Sequence, residues 1–229
     1  MRNSLLINLY GILWGFPAPI IFALLLNELR HEGYKRFSQT VSYLPHFIST
    51  VVIVGIVMDF LSPSTGVINR IIRAFGGETI HFMTSPEWFR TVYIGSGIWQ
   101  GIGWNSIIYL AAISGIDPEL YEAATIDGAS KLKQMWHVTI PGILPTVIIL
   151  LIMNLGSLLS IGYEKIILMY NPRTYETADV ISSYVYRRGI EGAEFSFATA
   201  VGLFQNIINF IMIATFNRIS KKVSEISLW

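Results

Sequence analysis

The chain contains no cysteine, which excludes disulfide bridges and thiolate-ligated metal. Its four histidines, His31, His46, His81 and His137, are far apart and show no ligand spacing, so no metal site and no catalytic residue is expected. Charge is scarce: Asp, Glu, Lys and Arg make up 14% of the 229 residues, where a soluble domain carries about 25%. The charges are also unevenly spread. Five stretches, 3–27, 37–58, 91–116, 134–163 and 195–217, hold none at all. Each is longer than the roughly 18 to 20 apolar residues that cross the hydrocarbon core of a bilayer. With 52% hydrophobic residues and a mean hydropathy of +0.52, the chain reads as a polytopic membrane protein. That excludes a nucleic-acid binder, a secreted disulfide scaffold and an ordinary cytosolic enzyme. The first stretch follows a single Arg2, but it is too long for a signal peptide and lacks a small-x-small cleavage site.

The five stretches are helices. A membrane strand alternates in polarity, whereas 147–153 (VIILLIM) is apolar on every face. In lipid every backbone N–H and C=O must be bonded internally, which an unbroken apolar run achieves only as a helix. The expected architecture is all-α and forms one domain over 1–229. Its five spans are about 4–26, 41–60, 91–114, 140–161 and 200–217. Charge leaves the orientation open, because eight Lys and Arg fall on each side. Two connections are long, 61–90 and 162–199, and Tyr175 to Arg188 in the second could form a short helix near the membrane surface.

The connection 117–141, DPELYEAATIDGASKLKQMWHVTIP, is the most informative segment. Asp117 can cap a helix, Pro118 suits its first position, and Glu119 favours its positive end. Gly128 can adopt the left-handed turn that ends it. A second helix starts near Ser130 and runs into the fourth span, where Pro141 and Pro145 are expected to interrupt it. Ala123 and Ala124 give the first helix a face without bulk, open to close approach by another protein.

Glu122-Ala123-Ala124, then Gly128 after three intervening residues, then nine residues to Val138-Thr139-Ile140-Pro141, resembles the EAA signature, EAA-x3-G-x9-I-x-L-P. That signature marks the membrane subunits of binding-protein-dependent ABC importers. Val138 and Ile140 depart from it, and both keep an apolar side chain. Gly15-Phe16-Pro17-Ala18-Pro19, Ser42-Tyr43-Leu44-Pro45-His46-Phe47 and Tyr163-Glu164-Lys165-Ile166 are similar to the sugar-permease branch, and within it to the polysaccharide and oligosaccharide permeases related to the maltose permease pair.

The resemblance implies a type I ABC importer transmembrane domain in the cytoplasmic membrane of a bacterium, with the loop at about 117–138 in the cytoplasm. It implies a non-enzymatic transport subunit that moves a sugar, an oligosaccharide or polysaccharide fragment, by alternating access. Implied partners are a second homologous permease, two ATPase subunits, and an extracellular lipoprotein or periplasmic sugar-binding protein. ATP and Mg would be bound by the ATPases, and no cofactor by this chain, which lacks a P-loop and has no Gly-Lys dipeptide. Glu122, Ala123, Ala124 and Gly128 are the implied ATPase-coupling residues; Glu122 could instead only cap or solvate its own helix. Such permeases usually have at least six spans. With the EAA loop inside, Met1 would start on the outer side, as though a preceding span and a short cytoplasmic tail were missing.

Polar groups inside spans are costly and mark pathways. Trp99, Gln100, Gly101, Trp104 and Asn105 form such a group in the third span, where indoles can stack on a pyranose and amides can bond its hydroxyls. Gln100 and Trp104, four apart, share a helix face. Asn154 and Ser157 in the fourth span are further candidates. Gln205 and Asn209 in the fifth are more simply helix-to-helix hydrogen bonds, and Gly11-x-x-x-Gly15 and Gly97-x-x-x-Gly101 close helix packing. The alternative from another class is an ion-coupled secondary carrier or a pore. It would require a carboxylate or histidine relay deep in a span, and no span has a carboxylate at mid-depth.

Overall fold

The computed structural model describes residues 1–224 and 227. Among them every regular element is helical. In chain order these are α1 (Arg2–Glu28), α2 (Glu32–Phe47), α3 (Thr50–Phe60), α4 (Val67–Ala74), α5 (Pro86–Ser114), α6 (Pro118–Ile126), α7 (Lys131–Gly156), α8 (Tyr163–Met169), α9 (Tyr175–Ala178), α10 (Ile181–Tyr186) and α11 (Phe195–Ser224).

Among the described residues three helices are long and apolar enough to cross a membrane: α1, α7 and α11. The third expected span, inside α5, is 29 residues long, about 43 Å at 1.5 Å per residue. Gln100, Asn105 and its glycines make it less apolar than the other three. The second expected span, 41–60, is not one straight helix: α2 and α3 meet at 107°. Pro45 sits in a tightened final turn, and Ile48 and Ser49 then run extended, with ψ of 135° and 149°. An 11-residue α3 spans only about 17 Å, so it crosses only as half of a broken pair.

Helix α5 is the hub. It packs along α1 and also touches α2, α3 and α7, while α7 packs against α11. Its closest approach is to α2, where a Cβ on Gly103 would overlap the backbone carbonyl of Ser42. Two apolar clusters hold the bundle. Near α6, Ala23 and Leu24 of α1 meet Tyr109 and Ile113 of α5 and Ile143 of α7. At the far end, Ile7, Val54, Phe89, Ile166, Met169, Ala178 and Val180 close over the helices.

The far end is also fastened by polar bonds. Asn69 is fully buried and fully used: its amide donates to the carbonyls of Leu61, Ser62 and Ile80, and its Oδ1 accepts from Ile80 N–H. Arg187 grips Asp179 with two parallel bonds of 2.9 and 2.8 Å, beneath the rings of Tyr170 and Tyr175. Asn3 at the start of α1 donates to the carbonyls of Glu176 and Asp179, both at 2.9 Å. Burial acts to raise the Asp179 carboxyl pKa. The bonds from Arg187 and Ser183 outweigh it and hold the group below the usual carboxylate value, while the same pair raises Arg187.

Pro141 and Pro145 do not interrupt α7. The turn Met135–Thr139 widens to a π-helix just before Pro141, which removes the need for the missing proline N–H and leaves the helix continuous from Lys131 to Gly156.

Candidate substrate cavity and coupling loop

Between the two apolar clusters the helices form a half-open cavity of ≈ 540 Å³. Its walls come from α1, α5, α7, α8 and the segment leading into α8. Five residues named from the sequence border it: Gln100, Gly101, Asn105, Asn154 and Ser157. Asn8, Ser160 and Lys165, which sequence reasoning did not single out as site residues, join them. Their signal was present, since each is a polar residue within or just beyond an otherwise apolar run.

The glycines do something other than expected. A Cβ on Gly11 would meet nothing within 4 Å, and one on Gly15 only Ile98 at 3.8 Å. Gly11, Gly15, Gly97 and Gly101 all line the cavity. These two motifs therefore keep a space open rather than close a helix interface. Gly11–Gly15 is itself a π turn, a distortion that recurs at functional positions in helices.

The amides differ in freedom. Asn8 donates to the Leu158 carbonyl at 2.6 Å and Gln100 reaches the Ile48 carbonyl at 3.4 Å, across the break between α2 and α3. Asn154 bonds back to Leu150 of its own helix, and Ser157 to Asn154. Asn105 forms no hydrogen bond among the described residues, so both ends of its amide are available. Gln205 and Asn209 bond from α11 to Leu159 and Ser160, which lie in the segment after α7 and not on a second helix, so these are helix-to-loop bonds.

The two tryptophans do not line the cavity. Trp99 lies two residues, about 200°, around α5 from Gly101 and is 43% exposed. Trp104 shares the Gln100 side of the helix, as expected, and is 41% exposed, with one face of its ring occupied. His46 stacks on it at 4.5 Å, and Phe47 meets it edge-on at 5.4 Å. Pro45 ends the regular turns of α2 and leaves this pair to pack on the indole. That contact joins α5 to the break in the second span.

The connection between α5 and α7 follows the sequence closely. The Asp117 side chain accepts from Glu119 N–H at 3.0 Å, capping α6 behind Pro118. At its other end Gly128 has φ of +73°. Its N–H bonds the Thr125 carbonyl, and Ala129 N–H bonds the Ala124 carbonyl, so the helix ends in a Schellman turn. Glu122 and Ala123 are exposed, and Glu122 forms no ion pair among the described residues. Leu120 is 54% and Ile126 86% exposed; with Ala123 they make a bare apolar stripe at i, i+3, i+6. Two bonds tie this helix to α7. Gln134 donates to Thr125 Oγ1 at 2.9 Å, and the hydroxyls of Tyr121 and Thr139 lie 3.0 Å apart. No sequence rule pointed to Gln134 or Thr139, because their partners lie nine and eighteen residues away.

Residues 15–225 match the family model described as the binding-protein-dependent transport system inner membrane component. The chain is 44% identical over 225 residues to the polygalacturonan/rhamnogalacturonan transport system permease protein YteP of Bacillus subtilis (strain 168), covering 98% of this chain and 70% of that protein. It is 43% identical over 229 residues to protein LplB of the same organism, covering 100% of this chain and 72% of the relative. Among solved structures it superimposes with a TM-score of 0.95 and 46% identity on a bacterial alginate ABC transporter, crystallised in complex with an alginate pentasaccharide-bound periplasmic protein. That match covers 100% of this chain and 79% of that one.

Proposed function

From the fact that this chain belongs to the family of binding-protein-dependent transport system inner membrane components, we propose that it carries an oligosaccharide or polysaccharide fragment through the cavity between its two apolar clusters by alternating access. It is a multi-pass permease of the bacterial cytoplasmic membrane, a transport subunit rather than an enzyme, and it works with a binding protein. We infer two further kinds of partner, a second homologous permease and a pair of ATPase subunits. This chain has no nucleotide-binding loop of its own.

The observation that carries the reading is the cavity itself. Its ≈ 540 Å³ lies within the range of small-molecule sites. Neutral amides and bare glycine backbone line it, which suits hydroxyl-rich cargo that must be held weakly and released. An apolar cluster lies toward each end of the cavity, and alternating access requires the packing at each end to loosen in turn. Gln100, Gly101, Asn105, Asn154 and Ser157 are the proposed path residues. Trp99 and Trp104 stay outside that set because neither borders the cavity.

At the other end, the exposed stripe of Leu120, Ala123 and Ile126 is the proposed seat of the ATPase. Glu122 and Ala124 flank it, and Gly128 sets its exit angle. Burying such side chains in a partner groove supplies the affinity, and the bonds to Gln134 and Thr139 carry the movement into α7. The test is uptake into vesicles that contain the permease pair, the ATPase and the binding protein. ATP without an ion gradient should sustain sugar uptake. Uptake that needs only an ion gradient overturns the proposal.

A further inference from the structure

One charged side chain lines the cavity, and it is unaccompanied. Lys165 is half-buried, donates from Nζ to the Tyr93 carbonyl at 3.1 Å, and stands 4.9 Å from the centroid of the Tyr93 ring. An ammonium has three donors. The other two find no protein acceptor, and no carboxylate lies within ion-pair distance among the described residues. A partly desolvated cation without a counter-charge is costly. A tether to one carbonyl needs only an amide, so the charge calls for another explanation.

The surroundings fix this cation in place and leave room beside it. Ile166 and Met169, on the same short helix, are buried at 0% and 1% exposure in the far cluster, which anchors α8 behind Lys165. Across from Nζ the wall is bare backbone: a Cβ on Gly97 would stand 3.5 Å from it. The rest of the polar lining is neutral, with the free Asn105 amide one turn beyond Gly101.

We propose that Lys165 reads a sugar carboxylate, and that the cargo is therefore an acidic oligosaccharide built from uronic acids. This rests on the reading of the cavity as the sugar path. A uronate would accept from the two unused N–H donors and complete the ion pair, while its hydroxyls meet the amides. One ammonium matches one carboxylate; a phosphate dianion would call for more than a single cation. A neutral sugar would leave the ammonium unpaired, so the same residue selects against it.

The test uses the complete transporter with its binding protein in vesicles, with trigalacturonate and neutral maltotriose as probes. Trigalacturonate uptake is expected in the parent complex, at least tenfold lower in Lys165→Gln, and largely restored in Lys165→Arg. Unchanged uptake in Lys165→Gln, or equal loss in both variants, overturns the proposal. So does a parent complex that imports maltotriose but not trigalacturonate, an outcome that leaves the sugar-permease reading standing. ATP-driven import of neither sugar by the parent complex sinks that reading instead. If the Lys165→Gln complex does not assemble, carbodiimide coupling in the parent complex decides. Trigalacturonate joined to Lys165 supports the proposal, and its absence there refutes it.

Discussion

The hydroxyl of Tyr121 lies 3.0 Å from that of Thr139, joining the exposed helix α6 to α7, the long helix that follows it. Thr139 is 2% exposed and Gln134, one turn earlier, 6% exposed. Both sit where α7 leaves the surface. Through them α6 is fastened to the first turns of α7, which include the π turn at Met135–Thr139.

Cutting these ties should uncouple the two helices. Tyr121→Phe removes one neutral hydrogen bond, worth about 1 kcal/mol, and Gln134→Met removes the bonds to Thr125 and Ala129. The double variant is expected to hydrolyse ATP while importing several-fold less sugar. The ratio of ATP consumed to sugar delivered measures this, and an unchanged ratio contradicts it.

Gly128 at φ +73° makes a related prediction. An alanine there costs about 1–2 kcal/mol, and a proline cannot adopt that angle at all. Gly128→Pro should therefore redirect α6, and Glu122→Lys should reverse the charge offered to the ATPase. Both variants should insert in the membrane and lose uptake while the ATPase still turns over. Normal transport by both would refute the assignment of α6 as the coupling helix.

Two glycines in the bundle should respond in opposite ways. Gly103→Leu would drive a side chain into the backbone of Ser42 and is expected to destabilise by at least about 1–3 kcal/mol, the usual cost of overpacking. Gly11→Leu meets nothing within 4 Å at its Cβ, so the thermal midpoint should hold or rise. The cavity, however, loses volume, and uptake should fall. Comparing melting and uptake for the pair checks both halves.

The Asp179–Arg187 pair gives a pH dependence. A carboxyl held below its ordinary value stabilises the folded form above that value, and the contribution is lost as pH falls through the folded-state pKa. The far-end knot should loosen only under acid conditions below the ordinary Asp range, near pH 4. Asp179→Asn should cost roughly 1–2 kcal/mol at neutral pH, between a surface pair and a buried one, and should flatten the acid limb. Melting curves across pH on the purified complex would reveal that difference.

Local chemistry made much of this molecule legible in advance. The cap at Asp117, the proline behind it and the left-handed Gly128 are each decided by neighbouring residues, and the structure contains all three. The helical spans follow from the need to bond every backbone group in lipid. Less was legible where a residue's role depends on what lies across from it. Pro141 could be read as a break, because nothing in its immediate neighbours announces that the preceding turn widens. The glycine pairs could be read as packing, because an absent side chain is the same in sequence whether another helix or a cavity fills the space.

The sequence by itself determined that the chain is a membrane helix bundle with a capped, exposed helix between α5 and α7. Composition, charge spacing and turn chemistry are properties of short segments. Tertiary structure alone decided that Gln100, Asn105, Asn154 and Lys165 face one cavity, and that Trp104 stacks on His46 and does not border that space. Those facts depend on the rotation of each helix against its neighbours, which is set by contacts between residues distant in the chain, such as Gly103 with Ser42 and Asn8 with Leu158.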